Sequence, residues 1–502
     1  MFLLNLTVSA KRFLLLMIVV FTAWQGRAAS YVFDYNEQCG RAYKEFLSLH
    51  LTEASLLIKQ EEAAHPDNLM AVFLSDYQDC ITLLMNGDEE QFDRLKPNLD
   101  KRISLIEKGD KNSPWYRACK SGMYMHWAMV YARAGEQYRA AIYFRKAYLL
   151  AKDNQKAFPS FVYNKYFLGI CETVIGTIPD EYKWLASVLG MKGNVNVGIA
   201  KLTTFIGSTT STDLFRYEAI LASCYLRFYL QHKQEDVWRY VNSRNFPIDG
   251  YPLNAFVRIN IALNYHKTDV ALATLQSIQN TDAYNLLPIF DYEMGYALLT
   301  KLENNAPAYF QKYIGRTKTP SFIKDAYMQM AQSYYLQDNL QKASYCRRQI
   351  KNEGNANTDS DKQAVRFANN NAWTAAPVLK ARYLIDGGYY NRALEVLNGY
   401  NPKTLPTVTD QLEYYFQTAR AYDELGMNDK AIYYYQTTIN MGKNRKEHYA
   451  ARSALQLGFM YEQAGKKEEA IKMYNQCLSM KGHDFQNNID QQAKAGISRL
   501  NS

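Results

Sequence analysis

Histidines, thiols and paired acids are where hydrolytic, redox or metal chemistry would have to start in this 502-residue sequence. The seven histidines include no HExxH pair, so the two-imidazole helix face that holds zinc is missing. His126 lies among Met123, Met125, Trp127 and Met129. Thioethers and an indole around an imidazole read as a packed core or groove histidine rather than a ligand. The seven cysteines, at 39, 80, 119, 171, 224, 346 and 477, are dispersed, odd in number and without a CxxC. They form neither a disulfide framework nor a metal site by spacing; export would allow one or two bridges, and buried thiols are the default. The acid clusters "DEE" (88–90) and "KKEEA" (466–470) fit helix starts and solvated faces. No phosphate loop, GxSxG elbow or GxGxxG turn occurs. The sequence thus predicts no catalytic residue, no metal site, no cofactor and no enzyme. A compact polar pocket with converging carboxylates or histidines would be the mark of the opposite reading.

What the sequence does contain is spacing for packing. Counting back from Ala431, a small residue stands at Ala419 (12 back), a tyrosine at Tyr422 (9 back) and a glycine at Gly426 (5 back). Ala470 repeats this with Gly458, Tyr461 and Gly465, and Ala140 with Ala128, Tyr131 and Gly135. Ala393 follows Ala381, Leu384 and Gly388; Ala343 follows Ala331, Tyr334 and Asp338, with the glycine lost. A sixth, weaker copy has Gly295 and Tyr296 before Pro307. A glycine that takes the left-handed conformation ends a first helix, and a second begins within a few residues. The two small residues then face each other and let the axes approach to the short end of the roughly 8–10 Å range. Tyr422, one turn beyond Ala419, is expected to fill space toward the neighbouring hairpin. Phe144, Leu397, Tyr435 and Tyr474, four after the anchors, complete the seam.

This pattern resembles the tetratricopeptide repeat, a helix-turn-helix unit of about 34 residues. The resemblance is strongest over 410–480, good at 120–150 and 325–347, and weak elsewhere. The anchors lie 38 residues apart from Ala393 to Ala431, 39 from Ala431 to Ala470, and 50 from Ala343 to Ala393. The resemblance implies an all-α fold, a helical-hairpin repeat solenoid, with a concave surface that binds protein or extended peptide. In such repeats the exposed side of each first helix lies one and four residues after the small position. That selects Gln332, Tyr335, Arg382, Ile385, Arg420, Asp423, Phe459 and Glu462 as partner-binding residues. Met328, Val378, Phe416 and Leu455 are apolar where a tail-carboxylate clamp would begin, so capture of a terminal carboxylate is not expected.

A second stretch, "PDEYKWLASVLGMKGNVNVGIAKL" (179–202), is similar to a segment of the tetratricopeptide-repeat-39 and mitochondrial outer-membrane inclusion-body-clearance family. It has a Pro-led helix, Gly190-Met191-Lys192-Gly193 and then Gly198-Ile199 with Leu202, with Asn194 where that family usually has Asp. The likeness implies a helical fold ending in repeats and an adaptor role, and carries over no active site. The alternative is a glycine-rich interhelical turn.

At the N-terminus Lys11 and Arg12 precede the twelve-residue apolar run "FLLLMIVVFTAW", followed by "QGRAAS". A positive region, a short apolar core and small residues make a secretory signal, and twelve residues fall short of the roughly 20 that span a bilayer. Cleavage is expected near Ala28 or Ala29, with an uncleaved anchor as the alternative. No cysteine follows the run closely, the nearest being Cys39, which argues against a lipid-attached surface protein. Residues 1–29 hold three cations and no acid, so their removal takes the net charge from +9 to +6. The cations are interspersed with acids, so no nucleic-acid stripe is expected. Tyrosine, at 41 copies, suits half-buried seams between helices.

The expected organisation is a signal peptide (1–29), an N-terminal helical region (30–120), and a hairpin with the glycine-punctuated segment (121–205). A helical repeat region (206–351), a polar linker "NEGNANTDSD" (352–361) and C-terminal repeats (362–502) follow. The leading functional expectation is an exported scaffold or adaptor that binds protein, in a bacterial periplasm or at an outer membrane. The alternative is a surface or periplasmic glycan-binding protein, which the aromatic content would suit. Membrane association stays open, without a transmembrane helix in the mature chain.

Overall fold

The computed structural model describes residues 31–178, 186–231, 233–370 and 372–501. The signal-like segment and the Pro179-led helix lie outside the described residues. Among those described there is no strand, and Val32 and Asn68 form an isolated β-bridge. The rest is helix and turn.

The chain divides into two compact units, and the division falls within one helix. Unit 1 takes the described residues up to Leu226 and unit 2 those from Arg227 onward. Unit 1 contains α1 (Glu37–Leu47), α2 (Leu51–Ala64), α3 (Leu69–Asn86), α4 (Glu89–Leu95), α5 (Pro97–Ile106), α6 (Pro114–Arg133), α7 (Gln137–Ala157), α8 (Asn164–Gly176) and α9 (Val195–Gly207). The helix that crosses the division is α10 (Arg216–Leu230).

Unit 2 continues with α11 (Gln234–Val241), α12 (Pro252–Asn264), α13 (Thr268–Ile278), α14 (Asp282–Leu286), α15 (Ile289–Thr300), α16 (Ala306–Arg316), α17 (Ile323–Leu336) and α18 (Leu340–Asn352). Then come α19 (Asp359–Asn369), α20 (Ala376–Asp386), α21 (Tyr390–Asn398), α22 (Val408–Glu424) and α23 (Asn428–Gly442). The chain ends with α24 (Tyr449–Gln463), α25 (Lys467–Ser479) and α26 (Gln486–Asn501).

The hairpins close in one way. Gly135, Gly388, Gly426 and Gly465 have φ of 83°, 86°, 69° and 72°, the left-handed conformation the spacing requires. Asp338, where the glycine is lost, adopts it too, at φ 59°. At each, the next residue's N–H reaches back to the carbonyl five residues before it: Glu136 to Tyr131, Asn339 to Tyr334, Tyr389 to Leu384, Met427 to Tyr422 and Lys466 to Tyr461, at 2.7–2.9 Å. These bonds satisfy carbonyls that the ended helix leaves open.

Two further hairpins of unit 2, α12–α13 and α15–α16, close identically. Lys267 donates to Ala262 at 2.8 Å and Glu303 to Leu298 at 2.9 Å, around His266 (φ 54°) and Leu302 (φ 64°). The second of these is the weak copy before Pro307. The sequence pattern undercounts because bulky residues hold a conformation that glycine usually marks.

The small residues are core. Ala331, Ala343, Ala381, Ala393, Ala419, Ala431 and Ala470 are fully buried, and Gly458 lies against the Tyr474 ring with no room for a Cβ. Leu397, Tyr435 and Tyr474 are buried beside them. Tyr422 stacks on Tyr434 of its own hairpin, centroids 5.7 Å apart, while its body also meets the cluster around Ala393 and Leu397.

In unit 2 the first helices neighbour one another in a row: α12, α15, α17, α20, α22, α24. The second helices wedge between successive hairpins, as α16 does against α17, α21 against α22 and α23 against α24. The long interval between Ala343 and Ala393 is filled by α19, which packs on α17 and α18. Residues 353–358 form the loop before it. Asp361, just inside α19, is fully buried and accepts the backbone N–H groups of Phe322 (2.8 Å) and Asp325 (3.1 Å). The polar stretch is therefore tied into unit 2.

All seven cysteines are buried and free. In unit 1, α8 and α9 cross closely, since a Cβ on Gly198 would lie 2.6 Å from the Gly169 carbonyl oxygen. The glycine punctuation there serves interhelical packing.

Candidate functional site

Helical periodicity turns one edge of each first helix to the same side. On α17 that edge carries Asp325, Met328, Gln329 and Gln332, at i, i+3, i+4 and i+7. On α15 it carries Tyr292, Glu293 and Tyr296, on α12 Asn260, Leu263 and Asn264, and on α20 Arg382 and Asp386. These four edges, with Ser360 and Gln363 of α19, surround a cavity of about 590 Å³. That lies within the usual range of roughly 300–1,000 Å³ for ligand pockets.

One wall is built where hairpin turns meet. His266 Nδ1 donates to the carbonyl oxygen of Asp386 at 2.9 Å, and both residues line the cavity. Nearby, Tyr389 Oη donates to Asp269 at 2.8 Å and Lys301 pairs with the same carboxylate at 3.2 Å. The turn of α12–α13 therefore touches that of α20–α21 across the turn of α15–α16.

The electrostatics are lopsided. Arg382 is the lining cation, and it is committed to the buried carboxylate of Glu413 at 2.5 Å. Asp386 is matched by Arg420 at 2.9 Å. Among the described residues no cation pairs with Glu293 or Asp325. Glu293 is 6% exposed and takes one hydrogen bond, from Asn260 Nδ2 at 3.3 Å. Burial pushes its carboxyl up to about 7 despite that bond. Asp325, 3% exposed, accepts from Tyr292 Oη and weakly from Gln329 Nε2 at 3.4 Å. Burial lifts it to about 6, with Asp361 adding to the rise and these donors opposing it.

Of the residues selected from sequence, Gln332 and Arg382 line this cavity. Gln332 accepts a hydrogen bond from Tyr383 Oη. Tyr335 stacks on Trp373, centroids 4.7 Å apart. Arg420 is held by Asp386, and Asp423 accepts from Tyr435 Oη at 3.1 Å, its carboxyl raised by burial to about 6. Phe459 packs edge-on against Tyr474, and Glu462 is gripped by Arg499 at 2.8 Å. Ile385 is a correction: it is fully buried in the cluster with Ala381 and Ala393 and offers a partner no surface. On α20 the cavity-facing position is Asp386, one residue further on, where the helix ends.

Sequence reasoning missed Asn260, Tyr292, Glu293, Tyr296 and Asp325. The first four sit on hairpins without a glycine signal, and Asp325 lies six before Ala331, outside the two offsets considered.

In unit 1 the fold brings Asp76, Cys80 and His126 together, with ligand atoms within 4.8 Å of one another. Asp76 already accepts from Trp127 Nε1 at 2.8 Å and from Cys80, and pairs with Arg102 at 3.4 Å. His126 meets its other oxygen at 3.1 Å between the Phe73 and Tyr77 rings. These groups satisfy one another as a polar core. Glu218 is a second such centre, accepting from Tyr43 Oη and from Tyr77 Oη at 2.7 Å, its carboxyl raised by burial.

The hairpin α24–α25 has the small-Tyr-Gly-small spacing, the left-handed turn at Gly465 and a glycine-to-aromatic seam at Gly458. The family model for the tetratricopeptide repeat matches residues 451–484, which take in all of this hairpin but the first two residues of α24. The chain carries a tetratricopeptide repeat. The same closure and seam make α22–α23 and α20–α21 repeats of the same build as this tetratricopeptide repeat. No curated protein matches the sequence. Among solved structures, the APC/C hetero-tetramer Cut9–Hcn1 aligns at 12% identity over 91% of this chain and 97% of that one, with a TM-score of 0.26. The tetratricopeptide domain of P58(IPK) aligns at 14% over 84% and 97%, TM-score 0.23. Naa15/Naa10 bound to HypK-THB aligns at 12% over 92% and 79%, TM-score 0.20. The assignment rests on the family match and the hairpin geometry.

Proposed function

We propose that this protein is an exported scaffold that binds a protein partner at the cavity of unit 2 and along the adjoining first helices. The observation that carries this reading is the shared orientation of α12, α15, α17 and α20, whose edges line a polar cavity that the described residues do not fill. Repeat arrays present such surfaces for protein contact. Export is supported by Lys11, Arg12, the apolar run 13–24 and the small residues at 28–29. No helix among the described residues is long and apolar enough to cross a membrane.

Site-specific photo-crosslinking tests the reading. A photoreactive phenylalanine at Gln363, an exposed cavity residue, is expected to trap a discrete protein partner in cells. The same group at Tyr433, exposed on the second helix α23, is expected to trap none. Equal trapping at both positions would remove the cavity from the proposal. N-terminal sequencing should find the mature chain starting near residue 30, and an intact Met1 on cytosolic protein would remove export.

A second reading is favoured by one observation: Glu293 and Asp325 converge on a compact polar pocket, and raised carboxyls are what acid–base chemistry uses. Turnover of any substrate that is abolished by both E293Q and D325N would support that reading over the scaffold.

A further inference from the structure

The cavity holds more negative charge than its own cations answer. Arg382 and Arg420 are each spoken for, by Glu413 and Asp386. Another buried acid of α15, Asp291, is paired with Lys312 at 3.0 Å and with Arg316, which shows how the fold treats a carboxylate it needs only for structure. Glu293, two residues on, is denied such a partner. One of its oxygens receives a single long bond from Asn260, and no donor among the described residues reaches the other. That oxygen is not sealed in the core; it is left open on the cavity lining, where a donor from outside the chain can reach it.

The walls suit a cation on a thin apolar stem. Tyr292 and Tyr296 flank Glu293 on the same helix, and Tyr229 and Tyr383 add phenol rings to the lining. Aromatic faces attract guanidinium and ammonium groups, most strongly where water is excluded. Asn260 adds a half-buried amide to the lining.

We propose that the cavity receives an arginine or lysine side chain of the protein partner, with the carboxylates of Glu293 and Asp325 as its acceptors and the tyrosines as its walls. This rests on the reading of unit 2 as a partner-binding surface and names the chemistry that surface selects. Insertion of the cation completes both carboxylates and favours their ionised forms, so binding strengthens as pH rises through 6 to 8. The other groups facing Glu293 are His266, which donates to the Asp386 carbonyl; the phenols Tyr229, Tyr292, Tyr296 and Tyr383; and the ion pairs of Arg382 and Asp386. Burial raises all four phenols, so none of them ionises in that interval, and E293Q separates the contribution of Glu293 from that of the imidazole.

The test is titration calorimetry on the full chain with the capped peptides Ac-GGRGG-NH2, Ac-GGKGG-NH2 and Ac-GGQGG-NH2, and with spermidine. At pH 8 the arginine or lysine peptide is expected to bind at least tenfold more tightly than the glutamine peptide. E293Q should abolish that preference, and pH 5.5 should reduce it at least tenfold. Thermal unfolding of E293Q, expected at or above the wild-type temperature, keeps loss of fold from mimicking loss of site. Equal binding of the three peptides, an unchanged preference in E293Q, or no binding of any probe would overturn the proposal. Binding of spermidine without the peptides would overturn it in favour of a free polyamine. The scaffold reading fails separately: partner trapping at Gln363 that persists in E293Q leaves the scaffold standing and removes the cation socket.

Discussion

Gly388 and His266 touch backbone to backbone: a Cβ on Gly388 would drive into the His266 carbonyl oxygen. Both residues are in the left-handed conformation, and each ends the first helix of its own hairpin. The contact joins the turns of α12–α13 and α20–α21, hairpins separated by more than a hundred residues.

Gly388→Ala and Gly426→Ala therefore separate two effects that a helix-ending glycine can have. Gly426 has φ 69° with nothing near its missing Cβ, so alanine there carries conformational strain alone, about 1–2 kcal/mol. At Gly388 the collision adds an overpacking cost, for a total of roughly 3–4 kcal/mol. Denaturation midpoints of unit 2 in the two variants should differ in that order. Equal losses would show that the turns are not pressed together.

Gly458→Ala is expected to destabilise although alanine is the better helix former. The propensity gain is about 1 kcal/mol. Against it, the new methyl would strike the Tyr474 ring, which is fully buried between Gly458 and Gly496. Overpacking of this kind typically costs 1–3 kcal/mol, so we expect a net loss of about 1 kcal/mol. Tyr474→Leu in the same chain should restore part of it. A thermal scan of the wild type and the two variants decides the point.

The pH dependence of stability should carry the signature of Glu293. Burial raises its folded-state value from about 4.5 to about 7, so between these limits the folded protein holds the proton and the unfolded chain does not. Stability then falls as pH rises from about 4.5 to about 7 and flattens above, a loss of roughly 3 kcal/mol if no ligand is bound. Asp325 acts in the same sense up to about 6. In melting curves at pH 5 and pH 8, the wild type should melt lower at pH 8, and E293Q should shrink the difference.

Arg382 belongs to the structure as much as to the cavity. Its partner Glu413 is 2% exposed and also accepts from Tyr449 Oη at 2.7 Å; burial would raise its carboxyl, but the guanidinium outweighs that and holds it low. Arg382→Met should cost about 3 kcal/mol by leaving a buried charge unmatched, and the double change with Glu413→Leu should recover most of that. A charge reversal at Arg382 would report on this pair before it reported on any partner.

The helical class and the hairpin closures were legible because they rest on local chemistry: a small residue, a left-handed turn and a second small residue at fixed distances. Asp338 was recognisable as a substitute because the remaining offsets held. The His266 turn was not, since nothing in a histidine announces positive φ, and the Leu302 hairpin showed only as the weak copy before Pro307; these two hairpins carried most of the cavity with them. Glu293 and Asp325 are 32 residues apart and line one cavity only because α15 and α17 are neighbours in the row. The offsets from Ala331 and Ala381 did point to Gln332 and Arg382, and failed at Ile385 where α20 stops a residue later.

The abutting turns also bind the cavity's lining to contacts made far apart in the chain. His266 and Asp386 both line the hollow and are bonded to each other across 120 residues, so that part of the wall exists only when both hairpins are seated. Loosening either turn would change the lining without touching Glu293 or Asp325.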